Sequence, residues 1–316
     1  MPEGWTWDET LFLGSAPFYV QGRPPYAPSL AATLWDTLPL DGRQRVLDVG
    51  CGPGVLALEL APYVGDVVGV DPDAGMLDEA RRRAIGLGIT NASWLQMRAE
   101  ELPDDLGTFE AVTFGQSFHW VDQPLVAAKM RAMLLPGGAF VHVADVKTPL
   151  LERDPLPYPA PPYAEIRALI TAWLGPVARA GQGTLPRGSP NTEEPVLAAA
   201  GFQGPERFHL PPAGPLLRTE DDLMAWVWSL SGSAPHLFGA RRGEFEAELR
   251  AVLRQAAPGG RFAEWLPDTD VRIWRTPDER RLRVSNLSRD TAYRMARPPS
   301  TESTSPVTKP ASGETR

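Results

Sequence analysis

The sequence predicts an α/β fold built on a parallel sheet, and three observations predict it. Apolar runs of strand length alternate with amphipathic stretches of helix length across residues 45–147. The first run, VLDV at Val46–Val49, breaks into Gly50-Cys51-Gly52-Pro53-Gly54, a turn that needs bare backbone. A second run, VVGVD, closes on Asp71, 21 positions past Gly50.

In chain order, residues 1–44 read as an N-terminal cover segment and 45–147 as an α/β core. Strands are expected at Arg45–Gly50, Asp66–Asp71, Ala92–Arg98, Phe109–Gly115 and Gly138–Val146. Helices are expected at Val55–Tyr63, Ala74–Ile85 and Pro124–Leu134. Pro136-Gly137-Gly138 stops the last of these and turns the chain into the next strand. Crossovers this short are right-handed and leave every strand's carboxyl end on one rim.

From Lys147 the alternation stops, and residues 148–190 read as a cap insertion after the fifth strand. Pro149–Pro162 is too rich in proline for a regular element. Tyr163–Leu174 is an amphipathic helix with Tyr163, Ile166, Ile170 and Trp173 on one face, and Gly181–Pro190 is loop. Residues 191–280 complete the sheet around a helical insertion. A helix at Thr192–Ala200, closed by Gly201, leads into a strand at Glu206–Pro211. Thr219 with Asp222 resembles a capping box ahead of the Leu223, Trp226, Val227, Leu230 stripe. Phe245, Leu249, Val252 and Leu253 mark another helix, supported by Glu246 four residues before Arg250. Val271–Arg275 is the last strand, and residues 297–316, with almost nothing to bury, read as a disordered tail.

Bulk composition narrows the function. A formal charge of −8 over 316 residues argues against a protein that holds nucleic acid by its phosphates. No apolar run approaches the ~20 residues of a membrane span, and no signal-peptide pattern opens the chain. One cysteine, Cys51, excludes a disulfide framework and a CxxC metal site, and the four histidines have no ligand spacing, so no metal is expected. A cytoplasmic enzyme is the expectation; the oligomeric state is not legible.

The glycine turn lets a ligand lie against backbone at a helix N-terminus, and an acid closing the next strand is placed to hold a ribose diol. A nucleoside cofactor follows. A nicotinamide dinucleotide site wants a third glycine where Val55 stands, and Asp48 is unusual there. Taken together, VLDVGCGPG, VVGVDPDAGMLDEA, RAEELP, FEAVTFGQSFHWVD and LLPGGAF resemble the class I methyltransferases, specifically the UbiE-like and trans-aconitate methyltransferase-like small-molecule branch. The resemblance covers Tyr19–Val146 well and continues loosely through AGFQGPERFHL and VRIWRTP.

That resemblance implies a Rossmann-like seven-stranded sheet with helical cap insertions and S-adenosyl-L-methionine as cofactor. Backbone at Gly50, Gly52 and Gly54 would approach its amino-acid part, and Asp48 would hold the loop or meet the ammonium through water. Asp71 would accept from both ribose hydroxyls, Pro72 and Met76 would sandwich the adenine, and Ala99 and Glu100 would read its edge. Many relatives carry Asp where Arg98 stands, so Glu100 or a backbone carbonyl would serve the adenine amino group. Asp71 as a plain helix cap, Met76 as ordinary core and Cys51 as a nucleophile are the competing readings.

At the reacting end, Gln116 would lie over the sulfonium. His119 is the candidate base, against a role in pocket shape, and Trp120 forms pocket wall. His142 and Asp145 alternate on the fifth strand, so at most one faces the crevice; Asp145 is the second candidate for substrate contact. Tyr19, Arg23 and Tyr26 would fold over the cofactor carboxylate. The expected activity is methyl transfer to a small molecule, onto oxygen. Carbon or nitrogen transfer, or a module that binds the cofactor without catalysis, are the alternatives.

Overall fold

In a computed structural model the described residues are 8–38, 40–146, 154–177, 179–180, 183–184 and 193–278. The expected Gly181–Pro190 loop and the tail at 297–316 lie outside them, apart from 183–184, as do Thr192 and the first part of the proline-dense stretch. Contacts group the chain into one unit ending at Pro277 and a second, Asp278–Arg316, of which only Asp278 is described.

Five parallel strands form first: β1 (Arg45–Val49), β2 (Asp66–Asp71), β3 (Ala92–Gln96), β4 (Phe109–Gly115) and β5 (Leu134–Asp145). Helices α1 (Ala16–Gly22) and α2 (Leu30–Thr37) precede them, and α3 (Val55–Leu60), α4 (Ala74–Leu87) and α5 (Gln123–Met133) connect them. After β5 come α6 (Tyr163–Leu174), the two-residue strands β6 (Arg179–Ala180) and β7 (Gly183–Thr184), α7 (Glu193–Ala199) and β8 (Gln203–Leu210). Then follow β9 (Leu216–Thr219), α8 (Glu220–Trp228), α9 (Arg242–Ala256), β10 (Arg261–Glu264) and β11 (Thr269–Arg275). The seven-stranded sheet runs β3-β2-β1-β4-β5-β11-β8, with β11 antiparallel to both its neighbours. This is the Rossmann-like seven-stranded sheet expected, with the reversed strand β11 set between β5 and the edge strand β8.

Local chemistry explains where boundaries moved. The helix expected to reach Tyr63 tightens into a 3-10 turn at Ala61–Tyr63, because Pro62 has no N–H to continue the α ladder. α4 runs past Ile85 to Leu87 and stops at Gly88, whose φ of +68° lets its amide reach back to the Ala84 and Ile85 carbonyls. β5 begins at Leu134, earlier than expected. Leu134 pairs with Phe109 and Ala139 with Ala111, so Pro136-Gly137-Gly138 is a bulge inside the strand. The capping box stands: Thr219 Oγ1 accepts from the Asp222 amide at 3.2 Å, and the Asp222 carboxylate accepts from the Thr219 amide at 2.8 Å.

The two faces of the sheet carry separate cores. One holds Phe109, Phe114, Phe118, Phe140 and Trp274 under α5 and α7, with Phe114 and Phe140 stacked at 4.8 Å. The other packs Leu30, Leu34, Leu56 and Leu60 of α2 and α3 on Val46, Val67 and Val141. A third core lies outside the sheet, where Ile166 of α6 meets Leu223, Val227 and Trp228 of α8 and Phe245, Leu249 and Leu253 of α9. The helical cap therefore draws on two insertions, one after β5 and a larger one between β8 and β11. Trp228 is 1% exposed and packs on Phe238 and Phe245.

Candidate cofactor site

The site is built where β1, β2 and β4 end. The chain leaves β1 through Gly50, Gly52 and Gly54, all at left-handed φ. A Cβ on Gly52 would meet nothing within 4 Å, so its backbone fronts open space. Gly54 has a different reason: a Cβ there would lie 2.6 Å from Trp94 Cη2 on β3. It permits helix–strand packing, and it is not among the residues lining the cleft. Gly50 sits against the β4 exit, where Ser117 Cβ is 2.5 Å from its missing Cβ, and Ser117 Oγ donates to the Val49 carbonyl at 2.6 Å.

A cleft of about 700 Å³, counting the part open to solvent, lies above this turn. Its floor includes Gly50, Gly52 and Asp71; one wall is Pro72, Met76, Met97, Arg98, Ala99 and Glu100. Gly115, Gln116, Ser117, Trp120 and Val121 form the facing wall, and Leu11, Phe12 and Tyr19 cover it. A smaller space of about 320 Å³ shares Tyr19, Gly50, Gly52 and Gly115 with it and reaches Tyr26, Asp48 and Cys51. Leu11, Phe12 and Met97 were not singled out from sequence; Phe12 is held edge-on to both Tyr19 and Trp120.

Asp71 is 9% exposed and its two oxygens divide their work. Oδ2 accepts from the Gly52 amide at 2.8 Å and Oδ1 from the Asp73 amide at 2.9 Å. An ionised carboxylate offers about four lone-pair sites, so roughly one per oxygen remains. Capping of α4 falls to Asp73, whose Oδ1 accepts from the Met76 amide at 3.0 Å. Burial raises the Asp71 carboxyl to about 6, against the pull of those two amides. Asp48 is 1% exposed: Oδ1 accepts from Thr113 Oγ1 at 2.7 Å and Oδ2 from the Ala57 amide at 3.1 Å. It thus ties β4 and the start of α3 to β1, just ahead of the glycine turn, and burial pushes it to about 7. Cys51 is buried and its thiol pushed up by desolvation, the opposite of what a nucleophile needs.

The remaining candidates fall into three groups. Pro72, Met76 and Ala99 meet in one wall of the cleft, Met76 being 2% exposed. Glu100 joins them, but its Oε1 accepts from the Asp122 amide at 2.8 Å and its Oε2 lies 3.4 Å from Arg98 Nη2. At the β4 exit, Gln116 has φ 55°, the sole positive value at a non-glycine among the described residues. Strain of that kind persists where its surroundings hold it. Here the Gln116 amide donates to the Val143 carbonyl at 2.9 Å, and its Nε2 to Asp145 Oδ2 at 3.1 Å. Burial raises the Asp145 carboxyl; the Gln116 bond and the Arg23 charge oppose the rise.

His119 and Arg23 stand apart. His119 packs on Trp120 at 4.9 Å and, unlike Trp120, is not among the residues lining the cleft. Arg23 turns its Nη2 to the Ser229 carbonyl at 2.8 Å while its guanidinium covers the Tyr19 ring. Tyr26 places its hydroxyl against Gly115, and desolvation holds that phenol neutral. His142 is buried at mid-strand. Among the described residues no group of three or more His, Cys, Asp or Glu is arranged to hold a metal ion, and no helix is long and apolar enough to cross a membrane.

A glycine turn and a strand-end acid facing one cleft on a 3-2-1-4-5 parallel sheet define a nucleoside-cofactor α/β domain. Residues 46–138 match the family model described as a methyltransferase domain. The chain is 39% identical over 132 residues to an uncharacterized methyltransferase of Mycobacterium tuberculosis, covering 42% of this chain and 51% of that protein. It is 35% identical over 112 residues to the ubiquinone/menaquinone biosynthesis C-methyltransferase UbiE of Coxiella burnetii, 34% of this chain and 45% of that one. The chain thus spans about half the length of the curated relatives it matches. Among solved structures, a putative type II methyltransferase from Anaeromyxobacter dehalogenans aligns over 81% of this chain and 99% of its own at 24% identity and a TM-score of 0.45.

Proposed function

We propose that the protein transfers the methyl group of S-adenosyl-L-methionine to a small-molecule acceptor, with oxygen as the accepting atom. The observation that carries the reading is Asp71: a desolvated carboxylate at a strand tip, pinned to the glycine turn and left with acceptor capacity on both oxygens. A vicinal ribose diol presents two donors to such a group. The open backbone at Gly52 and the apolar wall of Pro72 and Met76 fit the rest of an adenosyl ligand.

In this reading the cofactor supplies an electrophilic methyl group on a sulfonium. The chain aligns the acceptor with it and excludes water, the main demands of an in-line displacement. Gly50, Gly52 and Asp48 shape the amino-acid end, Ala99 and Glu100 the adenine edge, and Tyr19, Tyr26 and Arg23 the cover. Gln116, Trp120 and Asp145 frame the acceptor. His119, packed beside Trp120, acts as base only if it swings into the cleft on binding. Purified protein incubated with labelled S-adenosylmethionine and a cell metabolite extract, followed by mass identification of the labelled product, tests the reading. Labelled carbon- or nitrogen-methyl product would replace the oxygen assignment. Saturable binding with no product would make the chain a binding module. A cytoplasmic location accords with the single cysteine.

A further inference from the structure

We propose that Arg218 is a positioning residue for the cofactor: held by Glu264, it grips the Gly22 carbonyl and keeps the N-terminal cover seated over the cleft. The inference rests on the cofactor reading above, yet Arg218 itself lines neither part of the cofactor space.

Tyr19 is the covering side chain common to both compartments, and it sits on α1, three residues before Gly22. A seven-residue helix has too few turns to hold itself, and Ser15 at its N-cap makes no side-chain cap bond. Its position must come from what it leans on, and that is α8. A Cβ on Gly22 would lie 2.4 Å from the Ala225 backbone, so the two helices touch main chain to main chain. Three side-chain bonds fasten this contact. Arg218 Nη1 donates to the Gly22 carbonyl at 2.9 Å, Arg23 Nη2 to the Ser229 carbonyl at 2.8 Å, and Gln21 Nε2 to Asp222 Oδ1 at 3.0 Å.

Arg218 is the buried member of this set, at 3% exposed. Its Nε donates to Glu264 Oε1 at 2.6 Å, and the Tyr163 hydroxyl donates to the same carboxylate at 2.8 Å. One guanidinium thus joins the β9–β10 pair, α6 and the last carbonyl of α1. Such a carbonyl has no partner within its own helix. Without the guanidinium it, and the Glu264 charge, would be left in a site shielded from water, which favours an opened cover. Opening of a cover raises the rate at which a ligand leaves more than it changes the rate of arrival.

The test measures S-adenosylhomocysteine binding by stopped-flow tryptophan fluorescence, alongside backbone amide exchange of the cofactor-free protein, for wild type, Arg218→Met, Arg218→Lys and Glu264→Gln. Arg218→Met is expected to raise the dissociation rate about tenfold or more with association within about threefold. Exchange should quicken at residues 16–27 and stay unchanged in β1 and β4. Arg218→Lys, which can keep one of the two bonds, should fall between. A merely structural role would quicken exchange throughout and leave no split between the two rates. Should Arg218→Met fail to fold, Glu264→Gln must still show faster exchange at 16–27. Wild-type dissociation in folded Arg218→Met, or unchanged exchange at 16–27 in either variant, overturns the proposal. Absence of any S-adenosylhomocysteine binding by wild type would sink the cofactor reading instead, and the proposal with it, while the exchange data still report on the clasp.

Discussion

Replacing Asp71 by Ala isolates the proposed ribose contact. In the free protein this carboxylate accepts from the Gly52 and Asp73 amides at 2.8 and 2.9 Å, and one site per oxygen remains for ligand. Hydrogen bonds to a charged group contribute about 1.5–3 kcal/mol, so losing the diol contact should raise the dissociation constant roughly 10- to 150-fold. The measurement is calorimetry with S-adenosylhomocysteine at pH 8, where a carboxyl at about 6 is ionised. The fold should tolerate the change. The variant loses two backbone bonds, but it also removes a buried charge whose raised pKa shows that ionising it is costly. An affinity within twofold of wild type, in a variant that melts like wild type, would refute the placement of the ribose.

The same groups set a pH dependence. Cofactor affinity should fall as pH drops through about 6, because a protonated Asp71 gives up acceptor capacity; a flat profile from pH 5 to 8 would contradict this. Asp48 and Asp71 both sit above the unfolded value, so between about pH 4 and 7 the folded chain binds more protons than the unfolded one. Their contribution to stability is therefore present at low pH and lost as pH rises through 6–7. Asp48→Asn should flatten the slope of melting temperature with pH in that window, and an identical slope in both proteins would count against it. Gly54→Ala, at φ +70° and facing Trp94 at 2.6 Å, should destabilise the fold by about 1–3 kcal/mol. Gly52→Ala, facing open space, should cost less stability and more cofactor affinity, as thermal melts and calorimetry would show. Thr219→Ala should cost about 1 kcal/mol through the lost cap of α8, read by chemical denaturation.

Much of this fold is legible in local pattern. β2, β4 and α6 begin and end where periodicity and turn residues place them. Among the elements not expected from sequence, α1, β9 and β10 share a physical cause. α1 is short and held by α8 rather than by its own sequence, and β9 and β10, four residues each, pair only with one another. The site divides in the same way. Gly52 and Asp71 announce themselves because a tight turn with open backbone and an acid closing a strand are visible in local sequence. Thr113 carries no such signal; it matters because the β1–β4 register sets it opposite Asp48.

The sequence alone determined the parallel sheet, the cleft rim and the pairing of glycine turn with strand-end acid, since glycine, a strand-end acid and apolar periodicity act through the nearby backbone. Tertiary structure decided what depends on distant segments meeting. It gave Gly54 to Trp94, turned Arg23 toward Ser229, and left His119 beside Trp120. It also brought Arg218 to Gly22 across 196 residues, because a buried guanidinium takes whichever acceptors the packed chain brings within reach, and no local pattern encodes that choice.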